Sequence, residues 1–157
     1  MSRFGGRVMA LDVGERRIGV AVSDETGTIA TPITTIVRGG DDLTSVQGLV
    51  VDWAADRLVV GLPIGLSGRE GPQAASVRAY AGSLATRLGP EPPIDFWDER
   101  LTTAIAERAL VAAGTRRAQR RERIDAVAAA VILQSYLDAS KNRRLHHVRH
   151  DKLDPSR

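Results

Sequence analysis

The chain contains no cysteine, which excludes a disulfide framework, a thiolate metal site and a cysteine nucleophile. Histidine is nearly as scarce. His146, His147 and His150 stand together in a polar terminal stretch that reads as solvated chain rather than as a metal site. No apolar run approaches the roughly 18 to 20 residues that cross a membrane, so a soluble, cytoplasmic protein with no membrane partner is expected. Aromatic residues are limited to two each of Trp, Tyr and Phe, and Trp53 and Trp97 fall in helix-like and strand-like stretches where core packing is expected ahead of base stacking. Neither a Gly-x-x-x-x-Gly-Lys-Ser/Thr loop nor a Gly-x-Gly-x-x-Gly fingerprint occurs, which removes two common nucleotide-binding readings.

The remaining composition is that of an ordinary globular domain: 157 residues, 43% hydrophobic and 26% charged, with 15 Gly and 7 Pro. Lys and Arg number 22 against 19 Asp and Glu, a net charge of +3 that is unevenly spread. Residues 141–157 hold six basic and two acidic side chains, whereas the rest of the chain is slightly acidic. The expected organisation is one domain over residues 1–139 and a basic tail over 140–157, whose cations suit phosphate contacts through counterion release.

Apolar spacing sets the order of elements. Val8 to Val13, Ile18 to Ser23 and Thr28 to Val37 read as three strands joined by short turns, with Pro32 favouring a sheet edge for the third. From Asp42 the period changes, and Leu43, Val46, Leu49, Val50 and Trp53 recur as on one face of a helix. Arg57 to Leu62 is a buried strand, Gln73 to Leu88 a helix, and Ile94 to Trp97 a last strand. Helices are expected at Thr103 to Ala113 and Ile124 to Leu137, separated by an arginine-rich linker. The sum is an α/β domain with a mixed sheet.

Carboxylates at three places stand out against this apolar pattern. Asp12 lies inside the first strand, where an ionised group is costly unless it is paired or coordinated. Asp98 and Glu99 follow the last strand on opposite faces if the chain stays extended, so period alone does not choose between them. Asp125 opens an alanine-rich helix whose small side chains permit close approach to the sheet. Carboxylates on three elements are hard oxygen ligands for Mg²⁺ or Mn²⁺, ions that support phosphodiester hydrolysis without histidine or cysteine.

The segments ALDVGERRIGVAVSD (10–24), VVGLPIGLSGREG (59–71), DERLTT (98–103) and RIDAVAAAVILQSYL (123–137) together resemble the YqgF or RuvX family, Holliday-junction-resolvase-like members of the RNase H-like superfamily. The resemblance implies an RNase H-like fold with a mixed five-stranded sheet flanked by helices. It places the family's three acidic positions on Asp12, Glu99 and Asp125, as metal ligands and catalytic residues. It also implies a divalent-metal-dependent nuclease that matures precursor 16S ribosomal RNA, leaving a 5′-phosphate and a 3′-hydroxyl. Arg16, Arg17, Arg100, Arg116, Arg117, Arg120, Arg121 and Arg123 are the candidates for phosphate contacts. The family pattern has Asn where this chain has Gly65, so a hydrogen bond from that side chain is missing.

Two other readings use the same residues. A homodimeric resolvase would cut opposing strands of four-way DNA, whereas a monomer suffices to trim RNA. A non-catalytic RNA-binding or ribosome-associated module would bind without cleaving, and would keep binding when the divalent ion is removed.

Overall fold

In a computed structural model the described residues are 6–102 and 117–151, with side chains described to residue 102 and over 124–142. Five strands form one sheet: β1 (Val8–Val13), β2 (Arg17–Ser23), β3 (Ala30–Val37), β4 (Arg57–Leu62) and β5 (Ile94–Asp98). Their spatial order is β3-β2-β1-β4-β5. The β1–β2 and β2–β3 pairs are antiparallel, and β4 runs parallel to both β1 and β5. This is the mixed sheet expected from three strands with short turns followed by strands joined through helices. Pro32 lies in the edge strand β3, where the register shifts opposite Val20 and Ala21 and no second neighbour needs its missing N–H.

Alternation sorts the side chains into two cores. Met9, Leu11 and Val13 of β1, Ile18, Val20 and Val22 of β2, and Leu58, Val60 and Leu62 of β4 pack under helices α1 (Asp42–Asp52) and α2 (Pro72–Leu88). Pro72 at the first turn of α2 suits a position whose N–H is free, and Gly89 at φ 81° ends the helix as residues with side chains rarely can. Ala74, Val77, Ala81 and Leu84 bury one stripe of α2 at helical spacing.

On the opposite face Ala10, Ala21, Val59 and Trp97 meet α3 (Arg117–Asp151) through Ala129, Ala130, Ile132 and Leu133. Trp97 is buried and meets Tyr136 edge to face at 5.8 Å, while Trp53 packs at the border of the first core. Both tryptophans therefore serve packing. The α3 side chain of Gln134 also stitches the sheet edge, accepting from the Ala30 N–H and donating to the Thr28 carbonyl. Helix α3 starts before Ile124 and continues past Leu137 and Ser140, so the expected boundary at residue 139 falls inside a continuous helix. The helix expected at Thr103 to Ala113 lies outside the described residues.

Gly19 decides how closely α3 can lie on the sheet. A Cβ there would come 1.8 Å from the Asp125 carbonyl oxygen and 2.3 Å from its carbon, so only glycine admits the helix backbone. Gly19→Val is expected to destabilise the fold by about 3 kcal/mol, as overpacking against main chain does. Gly48→Ala, in α1 with nothing within 4 Å of the new methyl, should stabilise by about 0.5–1 kcal/mol. Urea unfolding of the two variants beside wild type checks both signs, and equal midpoints would dismiss the packing argument.

Candidate active site

Asp12 is the register partner of Gly19, so its carboxylate emerges beside the point where α3 touches β2. A second glycine works on the other side. A Cβ at Gly61 in β4 would stand 2.9 Å from Glu99 Oε1 and 2.6 Å from Ile132 Cδ1, and its absence gives the Glu99 side chain room over the sheet. Strand β5 ends at Asp98, and Glu99, the first residue of the 3₁₀ turn Glu99–Leu101, keeps to the face of Asp95 and Trp97 that α3 covers. Asp12 and Glu99 thereby line one cleft of about 260 Å³, with Thr102, Ala128, Val131 and Ile132.

Asp98 takes a different place. It caps the 3₁₀ turn by accepting from the Arg100 N–H, and its two oxygens receive Nε and Nη2 of Arg100 at 2.6–3.1 Å. These hydrogen bonds hold its pKa below the usual carboxylate range. Arg100 is correspondingly engaged, with its guanidinium near the Gly68 turn of the β4–α2 loop.

The two cleft carboxylates show the opposite electrostatics. Burial first, then the charge of Asp125, pushes the Asp12 carboxyl up to about 6. Burial, then Asp12, then Asp98, pushes Glu99 up to about 7. Neither has a cationic partner among the described residues. A crowded pair of oxygen donors without a counter-ion fits a hard divalent cation, which would supply the missing charge.

Asp125 is the third carboxylate, close enough to raise Asp12 yet turned toward Arg17, whose Nε stands 2.9 Å from Oδ2. The contact is a charge contact rather than an aligned hydrogen bond, because Oδ2 is buried with no donor directed at it. Among the described residues no three acidic or histidine side chains are gathered into a metal cage. The structure therefore joins Asp12 to Glu99 in the cleft and places Asp125 beside them with its charge met by Arg17.

Of the expected phosphate contacts, Arg16 is exposed on the β1–β2 turn, Arg17 faces Asp125, and Arg100 is held by Asp98. Arg116 lies outside the described residues; Arg117, Arg120, Arg121 and Arg123 lie on α3, with side chains outside them. Thr102 was not singled out from sequence, although it lines the cleft and its hydroxyl donates to the Glu99 carbonyl at 2.6 Å. Its place directly after the acidic turn was the available signal. The loop with Gly65 closes through main chain, Gly65 N–H to the Arg69 carbonyl at 3.1 Å and Gly68 N–H to the Gly65 carbonyl at 2.8 Å. The absent Asn side chain is not needed for that closure.

The sheet order, the helix laid across β1 and β2, and the acidic cleft at the strand ends define an RNase H-like α/β domain. The chain belongs to the family described as RuvX: Holliday junction resolvase, which it matches over residues 6–139. A relative from Roseiflexus sp., named "Putative pre-16S rRNA nuclease", is 48% identical over 90% of this chain and 100% of its own length. One of the same name from Moorella thermoacetica is 48% identical over 84% of this chain and 94% of its own. Among solved structures, Thermus thermophilus RuvC in complex with a Holliday junction substrate aligns with a TM-score of 0.56 at 14% identity. That alignment covers 86% of this chain and 96% of the other. Fowlpox virus resolvase with its junction DNA aligns at 0.52 and 8% identity, over 85% and 97% of the chains. These two likenesses are of fold. No helix among the described residues is long and apolar enough to cross a membrane.

The raised carboxyls set a pH dependence. Between about pH 4 and 7 the folded metal-free protein keeps protons on Asp12 and Glu99 that the unfolded chain has released, so their contribution to stability is lost as pH rises through this window. In chelator, wild type is expected to melt at a lower temperature at pH 8 than at pH 5, with Asp12→Asn reducing the drop. The substitution should stabilise the metal-free protein at pH 8 by on the order of 1 to 3 kcal/mol. Melting curves at the two pH values check this, and an Asp12→Asn curve parallel to wild type would count against it.

Proposed function

We propose that the chain is a divalent-metal-dependent nuclease that hydrolyses phosphodiester bonds of precursor 16S ribosomal RNA. The observation that carries the reading is the pair Asp12 and Glu99, half-buried in one cleft with no counter-cation among the described residues. Mg²⁺ or Mn²⁺ held by Asp12, Glu99 and Asp125 would polarise a phosphodiester oxygen and a water, the chemistry that hydrolysis at phosphorus needs. Asp12 and Glu99 carry the ligand roles from the floor and rim of the cleft, and Asp125 adds a third oxygen donor from α3. Ala128, Val131 and Ile132 form an apolar wall that strengthens electrostatic interactions within the cleft. Arg16, Arg17, Arg100 and the arginines of 116–123 are assigned to the substrate backbone, where they position a strand without reading its bases. The names borne by relatives of nearly equal length support ribosomal precursor RNA as substrate.

The description of the family supports a second reading, cleavage of four-way DNA, which a homodimer with two sites would suit. End-labelled precursor ribosomal RNA and a four-way junction, each incubated with Mn²⁺ and wild type, Asp12→Asn or Glu99→Gln, separate the two. RNA cleavage is expected from wild type and a loss of at least about 100-fold in each variant, since removing a direct ligand costs more than disturbing its supports. Junction cleavage alone would transfer the assignment to the resolvase reading. Cleavage of neither substrate would leave a nucleic-acid-binding module in the cytoplasm or on the ribosome.

A further inference from the structure

We infer that Arg17 is a resident counter-ion for Asp125 that a divalent cation has to displace, so that this chain controls metal occupancy with one of its own side chains. The inference rests on the metal reading above. Its basis is an asymmetry among the three carboxylates. Asp12 and Glu99 have no cationic partner among the described residues, whereas Asp125 has Arg17 Nε at 2.9 Å from Oδ2.

The contact has the character of a place-holder. Oδ2 is buried and receives no aligned hydrogen bond, so the guanidinium cancels charge there without the directional bonding that makes an arginine–carboxylate pair permanent. Both side chains remain partly accessible, at 39% and 29%, so exchange does not require the core to open. Arg17 also stands at the first residue of β2, beside the turn closed by Gly14 N–H to the Arg17 carbonyl at 2.8 Å. Its main chain is fixed while its long side chain can swing.

The partner cannot move away as easily. The Asp125 backbone is seated against Gly19, so this carboxylate stays beside Asp12 whichever cation it holds. An ion seeking Asp12, Glu99 and Asp125 together therefore competes with Arg17 for the third donor. Once released, the guanidinium is free for a substrate phosphate, as its chain neighbour Arg16 is on the exposed β1–β2 turn. Metal entry and strand binding become linked through one side chain.

Titration calorimetry with Mn²⁺ alone, on the full chain without nucleic acid, tests this. Arg17→Gln is expected to bind Mn²⁺ roughly tenfold more tightly than wild type, and Arg17→Lys, which keeps the charge, to stay within about twofold of it. Melting in chelator gives a second reading: Arg17→Gln should melt lower than wild type, because Asp125 is left uncompensated, and gain more from saturating Mn²⁺. Unchanged or weaker Mn²⁺ affinity in folded Arg17→Gln would overturn the inference, and if wild-type binding is then abolished by Asp12→Asn the metal site itself stands. Absence of Mn²⁺ binding by both wild type and Arg17→Gln would overturn the inference and the metal reading together. Binding by Arg17→Gln where wild type shows none would support the inference in its strongest form.

Discussion

The contact between the main chain of β2 at Gly19 and that of α3 at Asp125 governs the rest of the molecule. Helices usually rest on sheets through side chains; here the absent Cβ lets the helix come down onto the strand. That approach brings Asp125 next to Asp12, the ladder partner of Gly19. It also shapes the alanine-rich packing of Ala126, Ala129 and Ala130, since larger residues would lift the helix off. Gly61 repeats the device on β4, making room for Glu99 and Ile132. The two missing side chains let α3 and Glu99 close on the sheet around the acidic cleft.

Such a cleft is maintained against its own electrostatics. Burial raises both carboxyls, and beyond it Asp125 acts on Asp12 while Asp12 and Asp98 act on Glu99. The surrounding structure tolerates this because both sheet faces carry a packed core, one under α1 and α2 and one under α3. Asp98 and Arg100 show the contrasting solution a few atoms away, a paired and hydrogen-bonded surface carboxylate. Two neighbouring acidic residues thus acquire opposite properties from facing opposite sides of the sheet.

Much of this was legible in the residues. The change from alternating to helical spacing near Asp42, and the buried run Arg57–Leu62, carry the element order, because hydrophobic period reports directly on which face is covered. Pro32 correctly pointed to an edge. Period could not choose Glu99 over Asp98, since alternation puts them on opposite faces without saying which face carries the site; there it took the resemblance to a known family. Nor could it show that Arg17 faces Asp125 or that Arg100 is held by Asp98, because cationic side chains follow local fields that spacing does not encode. The full length of α3 was also hidden: the sequence beyond Leu137 is mostly polar and carries no apolar period.

The loop between β4 and α2, whose Gly68 lies near Arg100 of the acidic turn, holds its shape by a different means from the cleft. Its main chain closes on itself through Gly65, Gly68 and Arg69, Ile64 and Glu70 form an isolated bridge, and Arg78 of α2 anchors Glu70 at 2.6 Å. Leu66 at its tip contributes nothing to that closure and stands fully exposed. Shape and side-chain identity are therefore separable in this loop. The tip can be rewritten without disturbing the fold of the loop or the carboxylates of the cleft, so the surface beside the acidic turn is free to vary while the chemistry is inherited.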